Sequence, residues 1–143
     1  CTNRTRGAGP VPSPDTSSAF LSYQPFADAA KSATTPTNYT AAFTNLHAST
    51  TAKTYLGVSE LSSYDVSNCT AQCDAQNGCT AVNIFFERTP TLNLGPNCAN
   101  APSSTVIKCV FWGDAVTKQN TVNSGYTDNG FVVAIAGSNG YNK

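Results

Sequence analysis

The chain has 143 residues, eight basic and eight acidic, so its formal net charge is zero and only 11% of it is charged, against roughly 25% in an average soluble domain. That length allows one domain with one modest core. No basic field exists to hold nucleic acid, no phosphate-cradling glycine pattern is present, and no apolar run approaches the ~18 residues that span a bilayer.

Residues 1–17 are rich in Pro, Gly, Ser and Thr and predict an extended arm without a core of its own. The remainder, 18–143, reads as a single domain with its core in 53–136. The chain opens at Cys1, with neither initiator methionine nor signal sequence, and so reads as a processed or trimmed mature chain. Six cysteines, an even number, fit an oxidised framework. Cys1 then needs a partner, and that bond would tie down the arm. Residues 19–35 predict a short helix at most, with Phe26, Ala29, Ala30 and Ala33 on one face and Pro25 in its first turn. Residues 39–50, which carry Phe43 and Leu46, are ambiguous.

Asp65 is a suitable N-cap. The helix behind it spans 66–76 and stops at Asn77-Gly78. Cys79 to Glu87 is rich in β-formers and predicts a strand. Residues 88–104, with Pro90, Gly95, Pro96 and Pro102, read as a long loop fastened by Cys98. Val106–Trp112 predicts a second strand. Phe131–Ala136 predicts a third, entered through Tyr126-Thr-Asp-Asn-Gly130.

The cysteine spacing is the most telling pattern. Cys69 and Cys73, four apart on a helix, point the same way, with Cβ atoms about 5–6 Å apart. That exceeds the roughly 3.5–4.5 Å of a disulfide, so each should reach outward to a strand crossing the helix face. Cys79 and Cys109 head or sit in such runs. The pattern reads as one helix stapled twice to a sheet.

With Tyr64-Asp65-Val-Ser-Asn-Cys69-Thr-Ala-Gln-Cys73, Cys79-Thr-Ala-Val-Asn-Ile-Phe-Phe-Glu87 and Lys108-Cys109-Val-Phe-Trp112, the chain resembles a PAN/apple domain over residues 40–143. Asn83-Ile-Phe-Phe-Glu-Arg88, Ile107-Lys-Cys-Val-Phe-Trp-Gly113 and Val132-Val-Ala-Ile-Ala-Gly-Ser-Asn-Gly-Tyr141 look like a group of secreted filamentous-fungal proteins with apple-like domains, some loosely labelled carbohydrate-binding-like. The resemblance implies an α+β fold, one helix on a small antiparallel sheet, with a first strand at Lys53–Gly57. It implies disulfides Cys69–Cys109 and Cys73–Cys79. Cys1–Cys98 is left by elimination, and a local Cys98–Cys109 bond competes with it. Relatives of this kind often continue into a second domain, and the resemblance thus implies one half of a longer precursor.

Three sequons, Asn3-Arg-Thr5, Asn38-Tyr-Thr40 and Asn68-Cys-Thr70, agree with secretion. Asn38 is the best acceptor, in a polar stretch away from any cysteine. Asn68 carries a bonded cysteine in the middle of its triplet.

Residues suited to catalysis are few. His47 is the only histidine, and its apolar neighbours read it as a partly buried structural side chain. Glu60 and Glu87 are the only glutamates. Glu87 with Asp114 is the best available carboxylate pair for glycoside chemistry, yet nothing in the sequence brings them together, and Glu87 next to Arg88 reads as a strand-end ion pair. The acids are scattered, so no metal site and no cofactor is expected.

Binding would rest on aromatic and small polar residues. Strand alternation puts Cys109 and Phe111 on the helix face and Val110 and Trp112 on the opposite face, with Ile84 and Phe86 sharing one face and Phe85 the other. Either residues 20–50 cover Trp112, or it stacks on a sugar or a partner chain. Phe86, Tyr126 and Tyr141 complete the candidate contact set, with the stretch Gly137-Ser-Asn-Gly-Tyr-Asn142 read as either adaptable contact chemistry or an ordinary loop and strand end. Low charge and the uncharged strand Phe131–Ala136 also raise self-assembly through an unguarded edge. The expectation is a secreted, glycosylated, non-enzymatic recognition or assembly module of a cell wall or matrix. It would contact protein, glycan or copies of itself, without nucleic acid and without a membrane span. The alternatives are a self-assembling fibre or surface-layer subunit, and then a glycan-binding module.

Overall fold

The structure, a computed structural model, describes residues 1–143. It is α+β, with three helices and eight strands: α1 (Ser17–Leu21), α2 (Gln24–Ser32), β1 (Thr40–Leu46), β2 (Ser49–Thr50), β3 (Tyr55–Leu61), α3 (Val66–Asp74), β4 (Ala81–Pro90), β5 (Ser103–Trp112), β6 (Thr121–Asn123), β7 (Tyr126–Asp128) and β8 (Phe131–Asn142). The main sheet is antiparallel, in the order β1-β8-β4-β5-β3, and β7 adds to β8 as a hairpin. β2 and β6 form a separate two-stranded ribbon. No helix is long and apolar enough to cross a membrane.

The expected helix and three expected strands are present, each with adjusted ends. Asp65 caps α3 by accepting a hydrogen bond from the Asn68 amide at 3.0 Å. Beyond the C-cap Ala75, the chain turns at Gly78, whose φ of +81° is disfavoured for a residue with a Cβ. The strand expected at 53–57 lies a few residues later, at β3. Residues 88–90 and 103–104, read as loop, extend the β4–β5 ladder to the pair Pro90–Ser103. Pro90 is tolerated there because the next backbone bond comes from the Thr91 amide, which donates to the Pro102 carbonyl at 2.9 Å.

Three disulfides brace the frame. Cys69–Cys109 joins α3 to the centre of β5, with Cα atoms 5.6 Å apart. Cys73–Cys79 closes the turn between α3 and β4, at 5.4 Å; Cys79 precedes β4 rather than lying within it. Cys1–Cys98 fastens the arm to the 91–102 loop, at 6.3 Å. Loop-closure entropy assigns roughly 4, 2 and 4.7 kcal/mol to the three in turn, for sequence separations of 40, 6 and 97. The disulfides point to an extracellular setting.

Alternation along the strands sorts the core into two clusters. On one face Val82, Ile84, Phe86, Ile107, Cys109 and Phe111 meet the helices. Phe26 of α2 stacks on Phe86 with ring centroids 4.3 Å apart, and Tyr64 flanks the same ring at 5.0 Å. On the other face Ala81 and Trp112 pack with Phe43 and Val116. The 20–50 segment is therefore divided: its helices share the face of α3, and only Phe43, Leu46 and their neighbours reach the Trp112 side. The stretch 113–121 supplies the rest of that cover. Tyr39 pins α3 from outside the sheet, donating to Asp74 Oδ1 at 2.7 Å. Burial and the Asp74 charge push the Tyr39 hydroxyl far above its ordinary range, while the bond holds the Asp74 carboxyl below its own.

The arm is extended and ordered against its own body. It forms antiparallel bridges at Asn3–Leu92 and Gly9–Thr105. At its end Asp15 accepts from the Ser103 amide at 2.8 Å and pairs with Arg88 at 3.1 Å. Arg88 is buried, lies 4.3 Å over the Phe131 ring and donates to the Val132 carbonyl at 2.8 Å.

Candidate functional site

The sequence-derived contact residues do not assemble into one surface. Trp112 is 6% exposed, beneath Phe43, Val116 and an edge-on Tyr55 ring 5.5 Å away. Phe86 is sandwiched between Phe26 and Tyr64. Tyr141 is buried in the helix-face cluster. These three are packing residues, because each lies on a covered face of a sheet with layers on both sides. Tyr126 alone of the four is exposed, at 62%. Tyr55, at 58%, is an exposed ring at the outer strand that sequence reasoning passed over.

The stretch 137–142 is also interior. It is the second half of β8, held between β4 and β1. Its polar groups serve a buried network. Asn139 Nδ2 donates to the Ala30 carbonyl and the Tyr141 hydroxyl, both at 2.9 Å, and its Oδ1 accepts from the Asn45 amide at 2.9 Å. Asn83, on β4, donates to Ser138 Oγ and the Asn139 carbonyl and accepts from the Thr50 amide, each at 2.9 Å. Every hydrogen-bonding position of both amides is used save one lone pair on each, which is how such groups survive full burial. The uncharged strand Phe131–Ala136 is partnered throughout but on one side at a time, 131–133 by β7 and 134–136 by β4, whereas Gly140–Asn142 is paired on both sides.

The titratable candidates are likewise displaced from their expected roles. His47 is exposed in the bend between β1 and β2, because Leu46 turns inward and the chain reverses immediately afterwards. Glu87 pairs with Lys108 across the ladder at 2.7 Å, and Arg88 pairs with Asp15. Successive strand residues face opposite sides, so a Glu87–Arg88 pair could not form. Glu87 stands opposite Val106, six strand positions before Trp112, while Asp114 lies beyond Trp112 and bonds the Thr54 amide. That separation of roughly 20 Å is too wide for the ~5–9.5 Å of paired glycosidase carboxylates. No group of three or more His, Cys, Asp or Glu residues is placed to hold a metal ion.

The structure instead shows a groove of about 400 Å³ where the end of α2 meets the start of α3. Tyr64 forms part of its lining, its hydroxyl donating to the Gly137 carbonyl at 2.7 Å. Burial pushes that hydroxyl well above its ordinary pKa. Gly137 has φ +58°, and a Cβ there would come within 2.8 Å of the Phe26 carbonyl and 2.9 Å of the Phe86 ring. The backbone can turn under the groove only with glycine at this point. Ser32, Thr34, Ser63 and Ser67 line the groove with hydroxyls that have no partner within the protein. Asp65 spends Oδ1 on its helix cap and leaves Oδ2 free. No lysine or arginine lines it. The disulfide of Cys69 and the Tyr39–Asp74 bond hold α3, so this wall is pre-organised.

Sequence reasoning missed the groove because its residues come from two polar stretches thirty positions apart, 32–34 and 63–67, neither with a periodic signal. Of the sequon asparagines, Asn3 and Asn38 are exposed, Asn38 in the turn before β1 with φ +70°. Asn68 is exposed on α3 next to the groove residue Ser67, its side chain accepting from Gln72 at 2.9 Å. The chain matches no protein-family model, no curated protein and no solved structure.

Proposed function

We propose that this protein is a non-catalytic, glycosylated extracellular recognition module of apple-like type, and that the α2–α3 groove takes a neutral glycan of a cell wall or matrix. The observation that carries the reading is the groove's chemistry: four unengaged hydroxyls and one free carboxylate oxygen around Tyr64, with no cationic side chain among the lining residues. Sugar hydroxyls are donors and acceptors at once, and such a lining answers both roles. A rigid wall lowers the ordering cost of binding. The two cysteine staples on α3 and the motifs around them support the apple-like reading, and three disulfides support an extracellular one.

The test is a neutral-glycan array probed with the native chain and with Ser63→Trp, which fills the groove from its exposed rim. Retained binding by the native chain and loss by Ser63→Trp supports the site. Equal binding by both places recognition elsewhere, and Tyr126→Ala and Tyr55→Ala then identify which exposed ring carries it.

A further inference from the structure

Residues 1–9 reach the body almost wholly through backbone groups and one disulfide. The Asn93 amide donates to the Thr2 carbonyl and the Arg4 amide to the Thr91 carbonyl, both at 2.9 Å, and the Gly9 amide donates to the Thr105 carbonyl at 3.0 Å. The Gly7 amide donates to Ser104 Oγ at 2.6 Å. The β3–β5 ladder ends at Leu61–Ile107, so the arm meets β5 where the sheet has left its edge open. The fit requires glycine. A Cβ at Gly7 would collide with the Thr105 carbonyl, and one at Gly9 would lie 2.7 Å from Thr105 Cγ2.

The second anchor is Asp15, on Ser103 and Arg88. Ser103 and Thr105 are two residues apart on one strand, roughly 7 Å. The link between the anchors, Gly9 to Asp15, carries Pro10, Pro12 and Pro14. Alternating prolines favour an extended form of ~3.1 Å per residue, roughly 19 Å over these six steps. In the closed chain this link runs between two seats on β5, Thr105 and Ser103, whose spacing of roughly 7 Å is less than half the link's extended length. Straightened, it would carry residues 1–9 off their own β5 and onto the same seat of another copy, while Asp15 stays on its own Arg88. The contacts of residues 1–9 and of Asp15 are kept and only their connectivity changes, while Pro12, buried in the closed chain, leaves its packing.

We propose that the arm is an exchange strap: residues 1–9 of one copy occupy the β5 edge of a second copy of this chain, and Cys1 bonds Cys98 of that copy. The seal can be re-made without touching the core. Cys1 is exposed and Cys98 half-buried, whereas Cys69, Cys73 and Cys109 are 0% and Cys79 3% exposed. A small thiol such as glutathione attacks the Cys1–Cys98 bond, leaving a mixed disulfide on Cys1 and a thiolate on Cys98. The Cys98 thiolate of the second copy then attacks the mixed disulfide and expels the glutathione thiolate, with no net oxidation or reduction. This inference is independent of what the groove binds.

Unlabelled and ¹⁵N-labelled chains are mixed at high concentration with a little reduced glutathione, alkylated, and digested without reduction. Mass spectrometry then reads the linked peptides. Exchange predicts Cys1–Cys98 pairs with one light and one heavy half, while Cys69–Cys109 pairs stay wholly light or wholly heavy. Replacing Pro10, Pro12 and Pro14 with glycine removes the stiffness and lowers the hybrid fraction severalfold. Circular dichroism and the two core disulfides verify that the variant is folded. Pure pairs at every protein concentration overturn the proposal. Equal hybrid yields from native and glycine-linked chains reduce it to chance thiol chemistry and overturn it too.

Discussion

Replacing Asn139 by leucine, which is close to it in shape, tests whether the polar half of β8 is structural. The substitution removes the acceptor of the Asn45 amide and the donor to both the Ala30 carbonyl and the Tyr141 hydroxyl oxygen. Each buried group left unpaired costs about 1–3 kcal/mol, so three together give a loss of roughly 3–9 kcal/mol, partly offset by the added apolar contact. A small domain has ~5–15 kcal/mol in all. Urea unfolding with the disulfides intact, followed by the fluorescence of the single tryptophan, Trp112, should show a much lower midpoint at an unchanged slope. Asn139→Asp adds a pH signature. Its carboxylate still accepts from Asn45 but faces the Ala30 carbonyl, which raises its folded pKa above the unfolded value of about 3.9. Its deficit relative to the native chain is therefore smallest at and below that pH and grows as pH rises. A loss under about 1 kcal/mol for Asn139→Leu, or a midpoint for Asn139→Asp that tracks the native chain at all pH values, would refute the network argument.

Trp112→Ala should lower stability by roughly 3–5 kcal/mol and leave glycan binding per folded molecule unchanged, which parallel unfolding and binding measurements check. Burial pushes the Asp15 carboxyl up, but hydrogen bonds from Ser103 and Arg88 outweigh it, so its pKa is lowered from 3.8. The arm's anchoring is therefore complete above pH 3.8 and is lost as pH falls through the lower folded value. Hydrogen exchange of residues 4–16 should accelerate there more than in the core, and Asp15→Asn should abolish that acid-specific step. At the alkaline end, burial raises the hydroxyl pKa values of Tyr39, Tyr64 and Tyr141 above 10.0. Their contribution is full below pH 10.0 and is lost as pH rises toward the folded values. Alkaline unfolding and tyrosinate absorbance should consequently appear in one cooperative step.

The helix α3, the strands β4 and β5 and the start of β8 were legible because two signals agree there: cysteine spacing fixes the helix face, and apolar alternation fixes the strand faces. The end of β8 was not legible. Gly137-Ser-Asn-Gly carries turn residues, and its strand conformation depends on the distant Asn83, Asn45 and Ala30 to satisfy it. Helices α1 and α2 read only as one short helix, because Phe26 sits among alanines and small polar residues whose burial is decided by Phe86 and Tyr64. Alternation on β5 placed Trp112 opposite the helix face, but its cover comes from Phe43 and Val116, more than thirty residues away on one side. Of the groove, only the Asp65 cap was visible, since its hydroxyls acquire meaning from the approach of α2 to α3.

The most direct test of the account is a titration of the ¹⁵N-labelled native chain with neutral cell-wall oligosaccharides, followed by amide chemical shifts. The account predicts saturable shifts concentrated in residues 29–34 and 63–67, abolished in Ser63→Trp. Saturable shifts centred on Tyr126 or Tyr55, with 63–67 unmoved, or no shift with any neutral glycan, would contradict it.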